Sequence, residues 1–173
     1  MFIWQYINPP IDEVLSMQEA YRNALPDNSY FFQLANIPKN KTFMGMDIYQ
    51  AVLIQVAANS SVKIHRDFRL GDCFPHLAIQ IPLTNCEGSI TSFWESSAPR
   101  PKRLSTPNGH SYEHYEESTC TKLSEFKLTS PVLFDTHILH SVDNPTNEVR
   151  QAISLRFITD PWHLVTDSTA LPK

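Results

Sequence analysis

The sequence predicts a mainly β domain in which two antiparallel sheets pack together or close into a flattened barrel. The hydrophobic period changes to two at Ile48 and recurs in short segments after that point. Thirteen prolines against four glycines suit short strands joined by rigid turns better than a helical bundle. One clear helical segment precedes the strands, so the expected pattern is an N-terminal helical element packed on the sheet and about eight short strands.

Composition narrows the class of protein. The 173 residues fit a single domain, residues 1–173, with 42% hydrophobic and 18% charged residues. A net charge of −4 offers no basic face for a phosphate backbone, so no nucleic-acid partner is expected. We find neither a signal-peptide pattern nor an apolar run of the ~18–20 residues that cross a membrane. The three widely spaced cysteines, Cys73, Cys86 and Cys120, indicate reduced thiols in a cytoplasmic protein.

The N-terminal region is expected to hold a first strand in residues 1–7 and a helix over residues 10–25. Residues 29–47 are harder to read and are predicted as a short helical turn or loop. The helix carries a stripe of apolar residues at helical spacing. Its members are Ile11, Val14, Leu15, Tyr21 and Leu25.

The remaining strands form the predicted barrel core, residues 48–159. A polar, proline-containing stretch at residues 97–119 interrupts them, and loops of this length are usually lids, binding loops or disordered segments. We take it as a candidate substrate lid, with a disordered loop as the alternative. The expected strands are residues 48–57, 62–65, 76–83, 89–95, 120–128, 131–135 and 149–159.

The segment His65-Arg66-Asp67 is the first candidate metal-binding motif. Residues two apart in an extended chain project from the same face, so His65 and Asp67 can reach one point. Imidazole nitrogen and carboxylate oxygen suit a first-row metal such as Fe(II). The motif alone is weak, because a surface pair at a strand end has the same pattern.

A third ligand is found in the segment that ends His137-Ile138-Leu139-His140. Two histidines and one carboxylate form a facial triad that leaves coordination positions open. His140 is preferred over His137 because a β-branched residue and a turn follow it, and because it lies ten residues before Arg150.

Arg150 begins a strand whose alternate residues share one face: Arg150, Ala152, Ser154 and Arg156. Two arginines and a serine beside a metal site suggest a clamp for a dicarboxylate, because guanidinium binds carboxylate in a two-pronged fork. The alternative is an edge strand whose arginines face water. Gln80, within an apolar strand, is expected either to contact a cosubstrate or to make a structural hydrogen bond.

These segments resemble the Fe(II)- and 2-oxoglutarate-dependent dioxygenase superfamily. Within it they are most similar to the aspartyl/asparaginyl and prolyl hydroxylases. The resemblance covers roughly residues 48–159. The matching segments are Val62-Lys63-Ile64-His65-Arg66-Asp67, Ile81-Pro82-Leu83-Thr84-Asn85, His140-Ser141-Val142-Asp143-Asn144 and then Arg150.

The resemblance implies a double-stranded β-helix of the jelly-roll or cupin type. It implies that His65, Asp67 and His140 ligate Fe(II) and that Arg150 pairs with the distal carboxylate of 2-oxoglutarate, assisted by Ser154. Arg156 is a further candidate for the cosubstrate or the substrate. Family members that halogenate usually replace the carboxylate with a small residue, so Asp67 favours hydroxylation.

The expected activity is therefore an O2-dependent hydroxylation, supported by ascorbate, of an amino acid, a peptide side chain or a small metabolite. One alternative is a cupin-type metalloprotein of another class, such as an isomerase or a dioxygenase without a cosubstrate. Another is a non-enzymatic β-sandwich binding module.

Overall fold

The structure is a computed structural model that describes residues 2–24, 31–33, 42–67, 76–97, 101–105 and 111–166. The prediction of a mainly β fold is confirmed. The helix is α1, Ile11–Ala24. The strands are β1 Trp4–Tyr6, β2 Phe31–Gln33, β3 Thr42–Phe43, β4 Met46–Val56, β5 Ser60–Arg66, β6 Leu77–Thr84, β7 Ile90–Ser96, β8 Lys102–Ser105, β9 Ser111–His114, β10 Cys120–Phe126, β11 Val132–Asp135, β12 Leu139–Asn144 and β13 Arg150–Phe157.

The strands form two antiparallel sheets. The larger sheet has the order β1-β11-β6-β13-β4-β2, with β3 paired to β4, and the smaller sheet has the order β10-β7-β12-β5-β9-β8. Strands that follow one another along the chain thus alternate between the sheets, as in β4 to β7. This curled, two-sheet arrangement is the predicted double-stranded β-helix.

The larger sheet is buried on both faces because alternate residues of its central strands serve two cores. In β6, Leu77, Ile79 and Ile81 pack toward α1, while Ala78 joins the core between the sheets. In β13, Ile153 faces the helix side and Ala152 faces inward. Because β13 lies between β6 and β4, the alternative of a wet edge strand is wrong.

Helix α1 packs on the larger sheet through part of the predicted stripe, with Val14 buried and Tyr21 partly buried against the same core. Val14, Met17 and Ala20 are buried, whereas Ile11 is 66% exposed and Leu15 is 51% exposed. Hydrogen bonds fix the helix to the sheet from its flank: the Gln18 side chain donates to the Pro82 carbonyl at 2.9 Å, and the Tyr21 hydroxyl contacts Gln151 Oε1 at 2.6 Å. The buried stripe therefore follows i, i+3 spacing through smaller residues, and Leu25 lies outside the described residues.

The expectation of a helical turn or loop in residues 29–47 is corrected, and the described part of the stretch 97–119 contains strands, while its role as a lid stays a prediction. Within residues 29–47, the described parts are strands β2 and β3, because both pair with β4 through backbone hydrogen bonds. Within the polar stretch 97–119, β8 and β9 form a hairpin, and β9 pairs with β5. The stretch thus extends the smaller sheet beside His65.

No helix in the described ranges is both long enough and apolar enough to span a membrane.

Candidate active site

The three predicted metal ligands meet on the inner side of the smaller sheet. His140 in β12 lies directly opposite His65 in β5, and opposite Phe93 of β7 on its other side. Side chains of directly opposed residues share a face, so the two imidazoles lie side by side with ring centroids 4.5 Å apart. The pairing of β12 with β5 shifts register between His140 and Val142, and such bulges re-aim side chains near active sites.

Asp67 follows the end of β5 and completes the group. Its Oδ1 lies 3.4 Å from His65 Nε2 and 3.7 Å from His140 Nε2. One ligand atom from each residue lies within 4.8 Å of the others, which is close enough to hold one metal ion. The backbone N–H of Asp67 donates to the Thr136 carbonyl at 3.4 Å, so the carboxylate is positioned by the turn before β12.

Both imidazoles are oriented through their remote nitrogens. His65 Nδ1 lies 2.8 Å from the Lys63 carbonyl, and His140 Nδ1 lies 2.9 Å from the Ile138 carbonyl. A carbonyl only accepts, so Nδ1 carries the hydrogen in each ring. Each Nε2 faces Asp67 Oδ1 and is the ring nitrogen that could bind a metal ion in its deprotonated form.

Burial and charge shift the pKa values of the three side chains. Burial, together with the charge of His65, lowers the pKa of His140 from 6.5 to about 4. Burial alone would lower the pKa of His65, but the hydrogen bond with Asp67 and the charge of Asp67 outweigh burial, so the pKa of His65 is raised. Burial alone would raise the pKa of Asp67, but His65, His140 and Arg156 hold that pKa well below the usual range of a carboxyl group. His140 and Asp67 are therefore ready to ligate at neutral pH.

Arg156 contacts the metal-site carboxylate. Its Nη2 donates to Asp67 Oδ2, which leaves Oδ1 facing the two histidines. The two residues belong to opposite sheets, so this ion pair joins the sheets beside the triad. The sequence placed Arg156 near the cosubstrate or substrate; the structure places it on Asp67.

Arg150 lies deeper between the sheets and is 0% exposed. Its Nε donates to Ser89 Oγ at 3.1 Å and its Nη2 donates to Gln80 Oε1 at 3.3 Å. The third nitrogen, Nη1, is buried and has no hydrogen-bond partner among the residues that the structure describes. Burial lowers the pKa of Arg150, although the nearby Cys86 thiol opposes the shift. A buried cation with a donor left over could hold an anion.

Ser154 and Gln80 flank this position on neighbouring strands. They are directly opposed in the pairing of β13 with β6, and both are buried. Gln80 makes the structural hydrogen bond to Arg150, which was one of the two expectations for it. Arg150, Ser154 and Gln80 thus lie together on the larger sheet, facing the smaller sheet that carries the triad.

Asn144 fixes the spacing between the two halves of the site. Its buried side-chain amide donates to the carbonyls of Val56, Ala57 and Glu148 at 2.8 to 3.1 Å. These bonds hold the end of β12 against the turn that leads to β13 and Arg150. Asn144 was recognised only as part of a matching segment, and Ser89 was not recognised at all, because its role depends on a residue 61 positions away.

His137 does not join the triad. Its Nε2 lies 2.9 Å from His76 Nδ1, and the two form a separate group with Asp135.

Comparisons with known proteins were made on sequence and on structure. Neither a family model nor a curated protein sequence matches the chain. The non-heme alpha ketoglutarate dependent carbocyclase SnoK from nogalamycin biosynthesis superposes with a TM-score of 0.55 at 13% identity, covering 99% of this chain and 90% of SnoK. EvdO2 from Micromonospora carbonacea var. aurantiaca, solved with 2-oxoglutarate, superposes with a TM-score of 0.51 at 12% identity. The match covers 90% of this chain and 86% of EvdO2.

EvdMO1 gives a TM-score of 0.51 at 14% identity and is matched over 90% of this chain but 47% of its own length, so the chain spans about half of EvdMO1. At these identities the likeness establishes the fold. The chain has the double-stranded β-helix fold found in 2-oxoglutarate-dependent oxygenases, with a His/Asp/His group that could hold a metal ion.

Proposed function

We propose that the protein is an Fe(II)- and 2-oxoglutarate-dependent oxygenase. In this proposal it hydroxylates a C–H bond of an amino acid, a peptide side chain or a small metabolite, with O2 consumed and succinate and CO2 released. The observation that carries the proposal is the pairing of a His65/Asp67/His140 group with a buried Arg150 whose Nη1 has no hydrogen-bond partner within the described part of the chain.

The triad residues would hold the metal through His65 Nε2, His140 Nε2 and Asp67 Oδ1. Two imidazoles and one carboxylate on one side suit Fe(II) and leave positions open on the other side. The donors are set by the Lys63 and Ile138 carbonyls and by Arg156, so little rearrangement is needed on binding. When bound, Fe(II) and 2-oxoglutarate supply the oxidative chemistry.

Arg150 would receive the distal carboxylate of 2-oxoglutarate. Its Nη1 is the unused donor, while Ser89 and Gln80 hold the other two nitrogens in place. Ser154 lies on the same inward face and would add a hydroxyl donor. Arg156 is already occupied by Asp67, so we assign it to positioning the metal ligand.

Hydroxylation is favoured over halogenation because Asp67 occupies the third ligand position. The substrate is a small molecule or a peptide in this proposal. Within the described ranges Cys86 and Cys120 are free thiols, and a reducing, cytoplasmic setting suits both them and Fe(II).

The test is succinate release from 2-oxoglutarate by the purified chain with Fe(II), ascorbate and O2, screened over amino acids, peptides and small metabolites. We expect substrate-dependent succinate with the wild type and with an Arg66→Met control, whose side chain is exposed. Asp67→Ala and Arg150→Met should abolish it. A cupin of another class would turn over its substrate without 2-oxoglutarate, and a binding module would release no succinate under any condition.

A further inference from the structure

We propose that His76, Asp135 and His137 form a second divalent-cation site at the end of the larger sheet. The site would bind zinc or a similar transition-metal ion. His76 immediately precedes β6, Asp135 ends β11, and His137 lies in the turn that leads to β12. All three are half-buried, and one ligand atom from each lies within 4.8 Å of the others. None of them belongs to the His65/Asp67/His140 group, and the inference does not depend on the proposed oxygenase activity.

The two imidazoles lie close enough together to share an ion after a small separation of the rings. His76 Nδ1 and His137 Nε2 are 2.9 Å apart, and their ring planes are inclined by 80°. Two nitrogens bound to one tetrahedral zinc ion at about 2.1 Å lie about 3.4 Å apart, so the rings would separate by about 0.5 Å to share the ion. A single ring-to-ring hydrogen bond has the observed length, so the position of Asp135 is the further argument.

Asp135 brings a negative charge to the imidazole pair from a fixed backbone. Its Oδ1 accepts the backbone N–H of His137 at 2.8 Å, which holds the carboxylate in the turn. Two imidazoles and a carboxylate are the ligands that zinc takes in its three-ligand sites, where water fills the fourth position. The donor chemistry therefore favours zinc or cobalt over magnesium or calcium, which prefer oxygen ligands.

The supporting backbone is held on both sides of the cluster. The Thr136 N–H and hydroxyl both donate to the His76 carbonyl, at 2.9 and 2.8 Å, and Asp135 is paired with Leu77 across the strands. Ligands on fixed elements need little reorganisation to bind an ion. The Thr136 carbonyl also accepts the Asp67 N–H, so one residue joins the backbone of the second site to that of the first.

The test is calorimetric titration of the tag-free, metal-free chain with Zn(II), repeated with Co(II) followed by absorbance. We expect two ions per wild-type chain. His65→Ala/His140→Ala should bind one ion, and either His137→Ala or Asp135→Asn should bind one ion. The quadruple change His65→Ala/His140→Ala/Asp135→Asn/His137→Ala should bind none, and the exposed control His163→Ala should bind two.

A thermal melt of each variant checks that it folds and gives a second readout. In the His65→Ala/His140→Ala chain, saturating Zn(II) should raise Tm by about 5–10 °C, and Asp135→Asn in that background should remove the rise. Binding of one ion by the wild type that disappears in His65→Ala/His140→Ala overturns the second site and leaves the proposed function intact. Binding of one ion that survives in that variant but disappears in His137→Ala supports the second site and removes the metal from the proposed function.

Discussion

Arg156 and Asp67 form an ion pair that joins the two sheets at the candidate metal centre, although 89 positions separate them in the chain. The pair occupies Asp67 Oδ2 and leaves Oδ1 directed at His65 and His140. Partners of metal ligands fix ligand orientation and commonly change metal affinity when removed. Arg156 is therefore a positioning residue for the carboxylate.

Replacement of Arg156 by Met should weaken Fe(II) binding by about 10- to 100-fold, because Asp67 is then free to rotate. Arg156→Lys should recover part of the affinity, since it keeps the charge without the guanidinium geometry. Anaerobic Fe(II) titration measures both. Arg66→Met is the matched control, as this exposed arginine lies between two ligands in sequence. Equal affinities for Arg156→Met and the wild type would assign the ion pair to joining the sheets only.

Arg150 should contribute to ligand binding rather than to stability. It is fully buried, and its guanidinium pairs with neutral side chains of the described residues, Ser89 and Gln80. In Arg150→Met the buried charge disappears, so the free energy of unfolding of the ligand-free chain should stay level or rise by about 1 to 4 kcal/mol. The affinity for 2-oxoglutarate should fall about 30-fold or more. Denaturant unfolding and 2-oxoglutarate titration of the metal-loaded chain measure the two effects.

Under the proposal, Arg150→Met keeps or raises the free energy of unfolding and lowers the affinity for 2-oxoglutarate, so the variant separates a binding role from a structural one. A loss of several kcal/mol of stability with unchanged 2-oxoglutarate affinity would make Arg150 a structural residue. Ser154→Ala should show the same pattern as Arg150→Met with a smaller effect on affinity, because it removes a hydroxyl and no charge.

Phe134 should support His140 through direct contact. Its ring packs edge-on against the His140 imidazole, with centroids 5.8 Å apart. Phe134→Leu keeps the site apolar and should cost about 1 kcal/mol of stability while weakening metal binding. Leu133→Val, on the opposite face of the same strand, should cost a similar amount and leave metal binding unchanged. Equal metal affinities in the two variants would show that the contact does not hold His140.

Stability of the metal-free chain should fall in acid because His140 is buried in its neutral form. The pKa of His140 is about 4 in the folded chain and has its ordinary value of 6.5 in the unfolded chain. Between pH 4 and 6.5 the unfolded chain therefore binds a proton at His140 that the folded chain does not. The folded state therefore loses stability as pH falls from 6.5 to 4, by about 3 kcal/mol from this residue. Urea unfolding across this range should show a steeper acid loss for the wild type than for His140→Gln. Parallel pH curves would contradict the assignment.

The sequence predicted those parts of the fold that depend on local pattern. Alternation over β4, β6 and β13 placed these strands, and the two-residue spacing of His65 and Asp67 put their side chains on one face. The hairpin β8–β9 was not predicted because its strands are polar and form through pairing with each other and with β5. Local pattern carries no information about such pairing.

The site shows the same division. The sequence indicated which residue types converge, but contacts between distant strands were beyond it. Ser89 on Arg150 and Arg156 on Asp67 depend on the relative placement of the two sheets. The buried helix stripe was only partly predicted, because Val14 and Tyr21 pack on the core as expected whereas Met17 was not expected there and Ile11 and Leu15 are exposed.

The central claim is that one metal ion at His65, Asp67 and His140 and one guanidinium at Arg150 together bind a keto diacid. Anaerobic calorimetry of 2-oxoglutarate with the Fe(II)-loaded chain, beside the matched monoacid 2-oxopentanoate, measures this most directly. The account predicts one 2-oxoglutarate per chain, much weaker 2-oxopentanoate, and loss of binding without Fe(II) or in Asp67→Ala. Equal binding of both acids, or binding of 2-oxoglutarate that needs neither Fe(II) nor Asp67, would contradict it.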